Sequence, residues 1–208
     1  MKRGLVVAGS VALVVVLTVV VIVAGGNGKH LLPSPEPTVE LSTPAMVAQK
    51  AAAGVEQCPW PSTDAGGLPD VTLPCLGGGR DVNLSTLSGP LLVNLFQANC
   101  APCRKEMPAL EEFHKEWPQV PVLGVDGTDW MAAAALSQAI QRGVTYPLVA
   151  DPDGELQKTS LHTPRGYPYT YLLDATGHVT LLKAGGFESA DEIATAVEDE
   201  IGPFSVHG

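Results

Sequence analysis

Positive charge is scarce in this chain of 208 residues. Lysine and arginine number 12, against 22 aspartates and glutamates, and the formal net charge at pH 7 is −10. Lys2 and Arg3 stand at the N-terminus, so the rest of the chain is more acidic still. Proteins that bind nucleic acid, or that hold anionic lipid through a polybasic segment, present a basic surface. The composition therefore argues against both kinds of interaction.

Cysteine is sparse as well, with four residues, too few for a small domain held together mainly by disulfides. The five histidines, at positions 30, 114, 162, 178 and 207, are scattered, so we expect no zinc site and no other metal or cofactor. Hydrophobic residues make up 45% of the chain, which is enough for a folded core and excludes disorder of the whole chain.

The apolar run 5–24 contains no charged residue and follows the two basic residues. A helix of this length is about 30 Å long, which matches the hydrocarbon core of a bilayer. The alternative is a cleaved signal peptide, but its apolar region is normally about 7–15 residues long, and Ile-Val-Ala-Gly at 22–25 is a poor cleavage site. We predict a single-pass signal-anchor at 5–24, with residues 1–4 in the cytoplasm and the remaining chain outside it.

The rest of the chain divides by composition into a tether and a domain. Residues 25–57 are rich in proline and glycine, which is typical of an extended linker. We expect a folded domain at 58–204 and a short tail at 205–208. Apolar runs alternate there with segments of helical periodicity, which predicts an α/β fold with a mostly parallel central sheet covered by helices. The expected strands are 91–96, 120–125, 147–150, 169–173 and 179–183, and the expected helices are 101–117, 130–142 and 189–201.

Residues 100–103, Cys-Ala-Pro-Cys, lie where a predicted strand gives way to a helix. On the first turn of a helix, free amide groups and the positive end of the dipole favour a thiolate at Cys100. A thiolate is the nucleophile of disulfide exchange, and Cys103 can resolve the resulting mixed disulfide. The alternatives are a static disulfide, which gains little entropy across so short a loop, and half of a zinc site.

The segment 94–110, Asn-Leu-Phe-Gln-Ala-Asn-Cys-Ala-Pro-Cys-Arg-Lys-Glu-Met-Pro-Ala-Leu, resembles the active-site region of membrane-anchored thioredoxin-like proteins of the TlpA/ResA type. Residues 166–174, Gly-Tyr-Pro-Tyr-Thr-Tyr-Leu-Leu-Asp, resemble the cis-proline segment of that family. The resemblance covers about residues 68–201. It implies a thioredoxin-like fold, a central mixed sheet flanked by helices, and a thiol-disulfide oxidoreductase in which Cys100 attacks and Cys103 resolves.

The resemblance also implies a cis peptide bond between Tyr167 and Pro168, in a loop that offers backbone groups to an incoming peptide. The implied partners are exported cysteine-containing proteins as substrates and a membrane redox protein that recycles the cysteine pair. The implied location is the cell membrane, with the domain on the extracytoplasmic side. Ala101-Pro102 is closer to the Gly-Pro dipeptide of reducing relatives, which weakly favours the reductase direction.

Two departures concern the surroundings of the cysteines. The family usually has a tryptophan directly before the first cysteine, and Asn99 at that position removes an aromatic lid. Cytoplasmic thioredoxins have a buried carboxylate six residues before the nucleophile, where this chain has Asn94, and an amide cannot accept the proton of the resolving cysteine. Glu106 could substitute for it, but a charged residue on a helix is more often solvated, and we predict an exposed side chain.

Cys58 and Cys75 lie in one stretch rich in proline and glycine. Outside the cytoplasm such a pair oxidises when its geometry allows, and a bridge over a loop of this length is worth roughly 3 kcal/mol in the chain-entropy model. We predict a structural disulfide that fixes the start of the domain. The alternative is a second redox pair that exchanges with Cys100.

Two other functions would also use the cysteine pair. A copper chaperone could hold Cu(I) between Cys100 and Cys103, since soft thiolates suit that ion, but Met107 is the only thioether nearby in the sequence. A thiol peroxidase has threonine or serine three residues before its reactive cysteine, where this chain has Gln97. The sequence therefore favours an extracytoplasmic thiol-disulfide oxidoreductase.

Overall fold

The computed structural model of the protein describes residues 41–59, 61–62, 66–128 and 132–204. The predicted signal-anchor at 5–24, the flanking residues 1–4 and the tail at 205–208 lie outside the described residues, as do the start of the tether and the first two residues of the helix predicted from 130. In the described ranges, no helix combines the length and the apolar character needed to cross a membrane.

The described residues contain the strands β1 (Thr72–Leu73), β2 (Val82–Asn83), β3 (Leu91–Phe96), β4 (Val122–Gly127), β5 (Leu148–Asp151), β6 (Tyr169–Leu173) and β7 (Val179–Ala184). β1 and β2 form a separate hairpin, and the other five form a mixed sheet in the order β5-β4-β3-β6-β7. β3 pairs in parallel with β4, and β4 with β5, whereas β6 is antiparallel to both β3 and β7. This arrangement confirms the mixed sheet that the resemblance implied and corrects the mostly parallel sheet expected from the alternation of strands and helices, since two of the four pairings are antiparallel.

The helices begin and end at residues that suit those positions. The Ser189 hydroxyl accepts a hydrogen bond from the Glu192 N–H at the start of the last helix, and Gly202 follows its end, as the capping pattern predicted. The strands of the sheet lie within two residues of their predicted bounds. Within the part of the chain that the structure describes, the α-helices are α1 (Pro44–Ala53), α2 (Ala101–Glu116), α3 (Ala132–Arg142) and α4 (Ala190–Ile201), and short 3-10 segments occupy Leu84–Thr86 and Glu155–Lys158.

The sheet separates two hydrophobic clusters because successive strand residues point to opposite faces. On β3, Leu92 and Phe96 face the cluster to which all four named α-helices contribute. Leu91, Val93 and Leu95 face the other cluster, which β1, β2 and the 3-10 segments close. β3 is therefore buried on both faces, which explains its nearly continuous apolar sequence.

The predicted boundary between tether and domain needs correction. Residues 44–53 form α1 rather than an extended linker, and Met46 is buried in the helical cluster with only 6% of its surface exposed. The Gln49 amide donates hydrogen bonds to Ala133 and Ser137 of α3, and the backbone N–H of Glu56 donates to the Thr145 carbonyl at 2.8 Å. The folded part of the chain thus begins before Cys58, because the short apolar face of α1 finds a partner on α3.

Cys58 and Cys75 are joined by a disulfide with a Cα–Cα distance of 6.0 Å. Cys75 is 3% exposed and forms an isolated β-bridge with Val149 of β5. The bond therefore ties the segment before β1 to the edge of the sheet.

Truncating Met46 tests whether α1 belongs to the fold. We expect Met46→Ala to lower the free energy of unfolding by about 2 kcal/mol, because it leaves a cavity beneath α1. Val47→Ala is the matched control, since Val47 is 55% exposed on the same helix and should change stability by less than about 0.5 kcal/mol. Urea unfolding of the full-length chain in mild detergent measures both. Equal effects of the two substitutions would contradict the packing of α1.

Replacing Cys58 and Cys75 with alanine should lower the free energy of unfolding by roughly 3 kcal/mol, because their bond closes a long loop with a sequence separation of 17. The matched control replaces Cys100 and Cys103 with alanine. Their separation is 3, so the loss of their bond should cost about half as much. Each pair contains one buried cysteine, so alanine replaces similar side chains in both variants. Thermal unfolding of the oxidised proteins measures the difference, and a greater loss in the Cys100/Cys103 variant would contradict the loop-entropy argument.

Candidate active site

Cys100 and Cys103 lie at the start of α2, directly after the end of β3. Cys100 is the N-cap residue of the helix, and its Sγ accepts a hydrogen bond from the Cys103 N–H at 3.1 Å. The two sulfurs form a disulfide with a Cα–Cα distance of 5.2 Å. Cys100 is partly exposed, whereas Cys103 is 1% exposed. Only Cys100 can therefore be reached readily by another protein's sulfur, and a thiolate there would be favoured by the helix N-terminus.

The loop that ends at Pro168 faces this pair. The Tyr167–Pro168 peptide bond is cis, as the resemblance implied, and the Tyr167 carbonyl oxygen lies 3.5 Å from the Cys100 Sγ. The proximity follows from sheet topology, because β6 runs antiparallel to β3 and Tyr169 at its start pairs with Leu95 near the end of β3. The topology thus brings together the predicted site residues Cys100, Tyr167 and Pro168, although 67 positions separate Cys100 from Tyr167.

The prediction that Glu106 is solvated is wrong, since its side chain is 1% exposed. Asn94 Nδ2 donates to Glu106 Oε2 at 3.1 Å, and the Phe187 backbone N–H donates to Oε1 at 3.1 Å. Burial raises the pKa of Glu106 to about 7, although these donors and the charge of Lys183 oppose the shift. The site therefore contains a carboxyl group that can change its protonation state near neutral pH.

The sequence did contain a signal for the burial of Glu106. Cys103, Glu106, Leu110 and Phe113 are spaced by three or four residues, so they share one face of α2. The other three members of that set are buried apolar residues of the helical cluster. Position 106 thus falls within the apolar stripe, where a charged residue is unusual and needs partners.

Asn94 has a different role from the carboxylate it replaces. It is 1% exposed on β3, and its amide donates both to Glu106 and to the Thr170 hydroxyl, the latter at 3.0 Å. The carboxyl group of this site therefore comes from the helix rather than from the strand, and Asn94 holds it in place.

The surface around Cys100 is formed by small and polar side chains. Asn99, Ala101 and Pro102 are all exposed. Asn99 thus presents a short amide to solvent directly before Cys100.

Residues 66–182 of the chain match the family model described as AhpC/TSA. Thioredoxin-like protein YneN of Bacillus subtilis is 28% identical over 122 residues, which cover 56% of this chain and 69% of YneN. Thiol-disulfide oxidoreductase ResA of Bacillus thuringiensis is 28% identical over 104 residues, covering 49% of this chain and 58% of ResA. The chain thus spans less than two thirds of the ResA protein that it matches.

Solved structures share the fold at low sequence identity. A DsbF homologue from Corynebacterium diphtheriae superposes with a TM-score of 0.56 at 20% identity, covering 69% of this chain and 92% of that one. A secreted disulfide oxidoreductase of Mycobacterium tuberculosis has a TM-score of 0.54 at 20% identity, covering 62% and 96%. These structures support a thioredoxin-like α/β fold. The family model spans more than half of the residues of this chain, so the chain belongs to the AhpC/TSA family.

Proposed function

We propose that the protein is a thiol-disulfide oxidoreductase that exchanges disulfides with exported cysteine-containing proteins. The observation that carries this proposal is a partly exposed cysteine at a helix N-terminus, bonded to the buried Cys103 and facing the Tyr167 carbonyl. The relatives named thiol-disulfide oxidoreductase also support it. Cys100 and Cys103 are the proposed catalytic residues.

In the reductase direction, the Cys100 thiolate attacks one sulfur of a substrate disulfide. The substrate S–S bond breaks, a mixed disulfide forms, and one substrate thiolate leaves. Cys103 then loses its proton and attacks the Cys100 sulfur, which releases the second substrate thiolate and forms the Cys100–Cys103 disulfide. Two electrons pass to the substrate, and a membrane redox partner returns two electrons to the cysteine pair.

Glu106 is the proposed acceptor of the Cys103 proton. A buried thiol is a poor nucleophile until it is deprotonated, and a base with a pKa near the working pH is the most effective. Glu106 lies one helical turn beyond Cys103 on the same face of α2, and burial raises its pKa to about 7. Asn94 and the Phe187 N–H hold the carboxyl group in position during the reaction.

Tyr167 and Pro168 form the proposed docking edge for substrate. The Tyr167 carbonyl oxygen faces Cys100, and Pro168, which has no N–H, adds no donor beside it. An extended peptide can bind such an edge through backbone hydrogen bonds, much as a strand joins a sheet. Peptide binding there would bring a substrate sulfur to Cys100.

The proposed location is the cell membrane, with the domain on the extracytoplasmic side. The apolar run 5–24 and the basic residues before it support a single-pass anchor, and the net charge of −10 fits a domain that does not bind anionic lipid through its surface. We propose the reductase direction on the Ala101-Pro102 dipeptide, which resembles that of reducing relatives.

Single cysteine variants test the two-cysteine mechanism. Cys100→Ser should abolish disulfide exchange, because the attacking sulfur is lost. Cys103→Ser should accumulate a mixed disulfide through Cys100, because the resolving thiol is absent. Mass spectrometry of the full-length protein after incubation with a disulfide peptide detects the adduct.

Turnover by Cys103→Ser at the wild-type rate would contradict this mechanism. Tight Cu(I) binding by a wild-type protein that shows no exchange would instead favour the copper-chaperone function.

Glu106→Gln tests the proposed base. The carboxylate accepts a proton only when it is ionised, so the rate of the Cys103 step in the wild type should rise as pH increases through about 7. Glu106→Gln should lose this inflection and react roughly 100-fold more slowly at pH 8. In stopped-flow reactions of reduced protein with dithiobis(nitrobenzoate), the second release of thionitrobenzoate reports this step separately from the ionisation of Cys100.

Glu111→Gln is the matched control on the same helix. Glu111 is 6% exposed, and hydrogen bonds from Lys115 and Thr145 outweigh the effect of burial and hold its pKa below the usual value. The inflection near pH 7 should therefore persist in Glu111→Gln. An unchanged pH profile in Glu106→Gln would exclude Glu106 as the base.

A further inference from the structure

A chain of hydrogen-bonded side chains runs beside the cysteine pair, from the turn after β3 to the loop before β6. The Gln97 amide donates to Thr128 Oγ1 at 3.1 Å, and Thr128 Oγ1 lies 2.7 Å from the Tyr167 hydroxyl. The Gln157 amide donates to the same hydroxyl at 3.0 Å. We call Thr128, Tyr167 and Gln157 the hydroxyl clamp. Two groups from separate segments thus hold the Tyr167 side chain at its tip.

The backbone around the clamp has an unusual conformation at Thr128 and glycines where the clamp side chains approach closely. Thr128 has a φ of 50°, a left-handed conformation that is unfavourable for a β-branched residue. A Cβ at Gly154 would lie 2.4 Å from the Thr128 Cγ2, and one at Gly127 would lie 2.5 Å from the Tyr167 hydroxyl. Such a conformation persists only where the surrounding contacts fix it, and it is most common at functional sites.

Gln157 forms hydrogen bonds with two residues of the loop that leads to the cis-proline. Its Oε1 accepts a hydrogen bond from the Thr163 backbone N–H at 3.0 Å, while its Nε2 donates to the Tyr167 hydroxyl. One side-chain amide therefore contacts the backbone of Thr163 and the side-chain hydroxyl of Tyr167, the first and last residues of the segment 163–167. Both contacts restrict the movement of the segment that carries the proposed docking carbonyl.

We propose that Thr128 and Gln157 are positioning residues for peptide substrates. They hold the Tyr167 ring by its hydroxyl, and the ring in turn fixes the Tyr167 carbonyl opposite Cys100. This inference rests on the proposed function. A docking edge that is ordered before binding spares the incoming peptide the entropic cost of ordering the loop, so the clamp raises affinity for peptides.

Peptide disulfides and small aromatic disulfides should depend differently on the clamp. A disulfide within a peptide uses the docking edge, so its KM depends on the clamp. A small aromatic disulfide such as dithiobis(nitrobenzoate) reacts with Cys100 without pairing to the loop, and its rate does not depend on the clamp.

Thr128→Val and Tyr167→Phe each remove one hydroxyl of the clamp with little change in shape. For a disulfide-containing peptide, we expect each variant to raise KM about tenfold, the effect of about 1.4 kcal/mol. Thr128 is not part of the docking edge, so Thr128→Val should leave kcat for the peptide and the rate with dithiobis(nitrobenzoate) within about twofold of wild type. Both substitutions remove the Thr128–Tyr167 hydrogen bond, and each also removes one further bond, from Gln97 or from Gln157. The double variant should therefore raise KM by less than the product of the two single effects.

Thr128→Ser keeps the hydroxyl and should restore a KM near that of wild type. Tyr171→Phe is the matched control, since the Tyr171 hydroxyl donates instead to the His162 carbonyl at 2.9 Å, and it should leave KM for the peptide unchanged. All assays use the full-length chain in mild detergent, with thermal unfolding measured in parallel.

A wild-type KM in both Thr128→Val and Tyr167→Phe would overturn the inference. So would an equal loss of rate with the peptide and with dithiobis(nitrobenzoate), which indicates general damage to the site. A wild-type protein that exchanges neither disulfide would overturn the proposed function, and with it this inference. Wild-type activity with unaffected clamp variants would overturn the inference alone.

Discussion

The antiparallel pairing of β6 with β3 at the centre of the sheet is the constraint on which the rest of the site depends. Because β6 runs against β3, the start of β6 lies beside the end of β3. Cys100 follows β3 and Pro168 precedes β6, so this single pairing places the cis-proline loop opposite the cysteines. A parallel pairing would carry that loop to the opposite end of the strands, more than 15 Å away at about 3.3 Å per residue.

The same two strands support the polar centre of the core. Asn94 of β3 and Thr170 of β6 are direct partners in the ladder, and their side chains are hydrogen-bonded at 3.0 Å. Asn94 also donates to Glu106, which lets an ionisable group lie within an otherwise apolar helical cluster. Ionising a buried carboxyl group without such donors would cost several kcal/mol, so the group would remain neutral. With them, its pKa is near neutrality, which is the range that proton transfer from a thiol requires.

Two sets of polar residues thus serve two different steps of the proposed reaction, the resolution of the mixed disulfide and the binding of substrate. Glu106 and Asn94 act within the core, on the side of the buried Cys103. The hydroxyl clamp lies near the surface, beside the loop proposed to receive substrate, with Thr128 exposed and Gln157 and Tyr167 partly exposed. Both depend on side chains from different elements of the sheet and helices. In the proposed mechanism, the resolution step and the recognition of substrate therefore depend on separate sets of residues around one cysteine pair.

Features that depend on near neighbours in the chain could be predicted from the sequence. These include the bounds of the five sheet strands, the capped helix α4, and Cys100 and Cys103 at a helix N-terminus, since periodicity, capping residues and short spacing are local. The resemblance added the mixed sheet and the cis bond. Three contacts become visible only in the folded chain: α1 packs on α3, Asn94 donates to the buried Glu106, and Thr128 meets Tyr167. Each of these contacts joins residues of different elements. Local periodicity places Glu106 on the apolar face of α2, but it does not identify the side chains from other elements that become its partners.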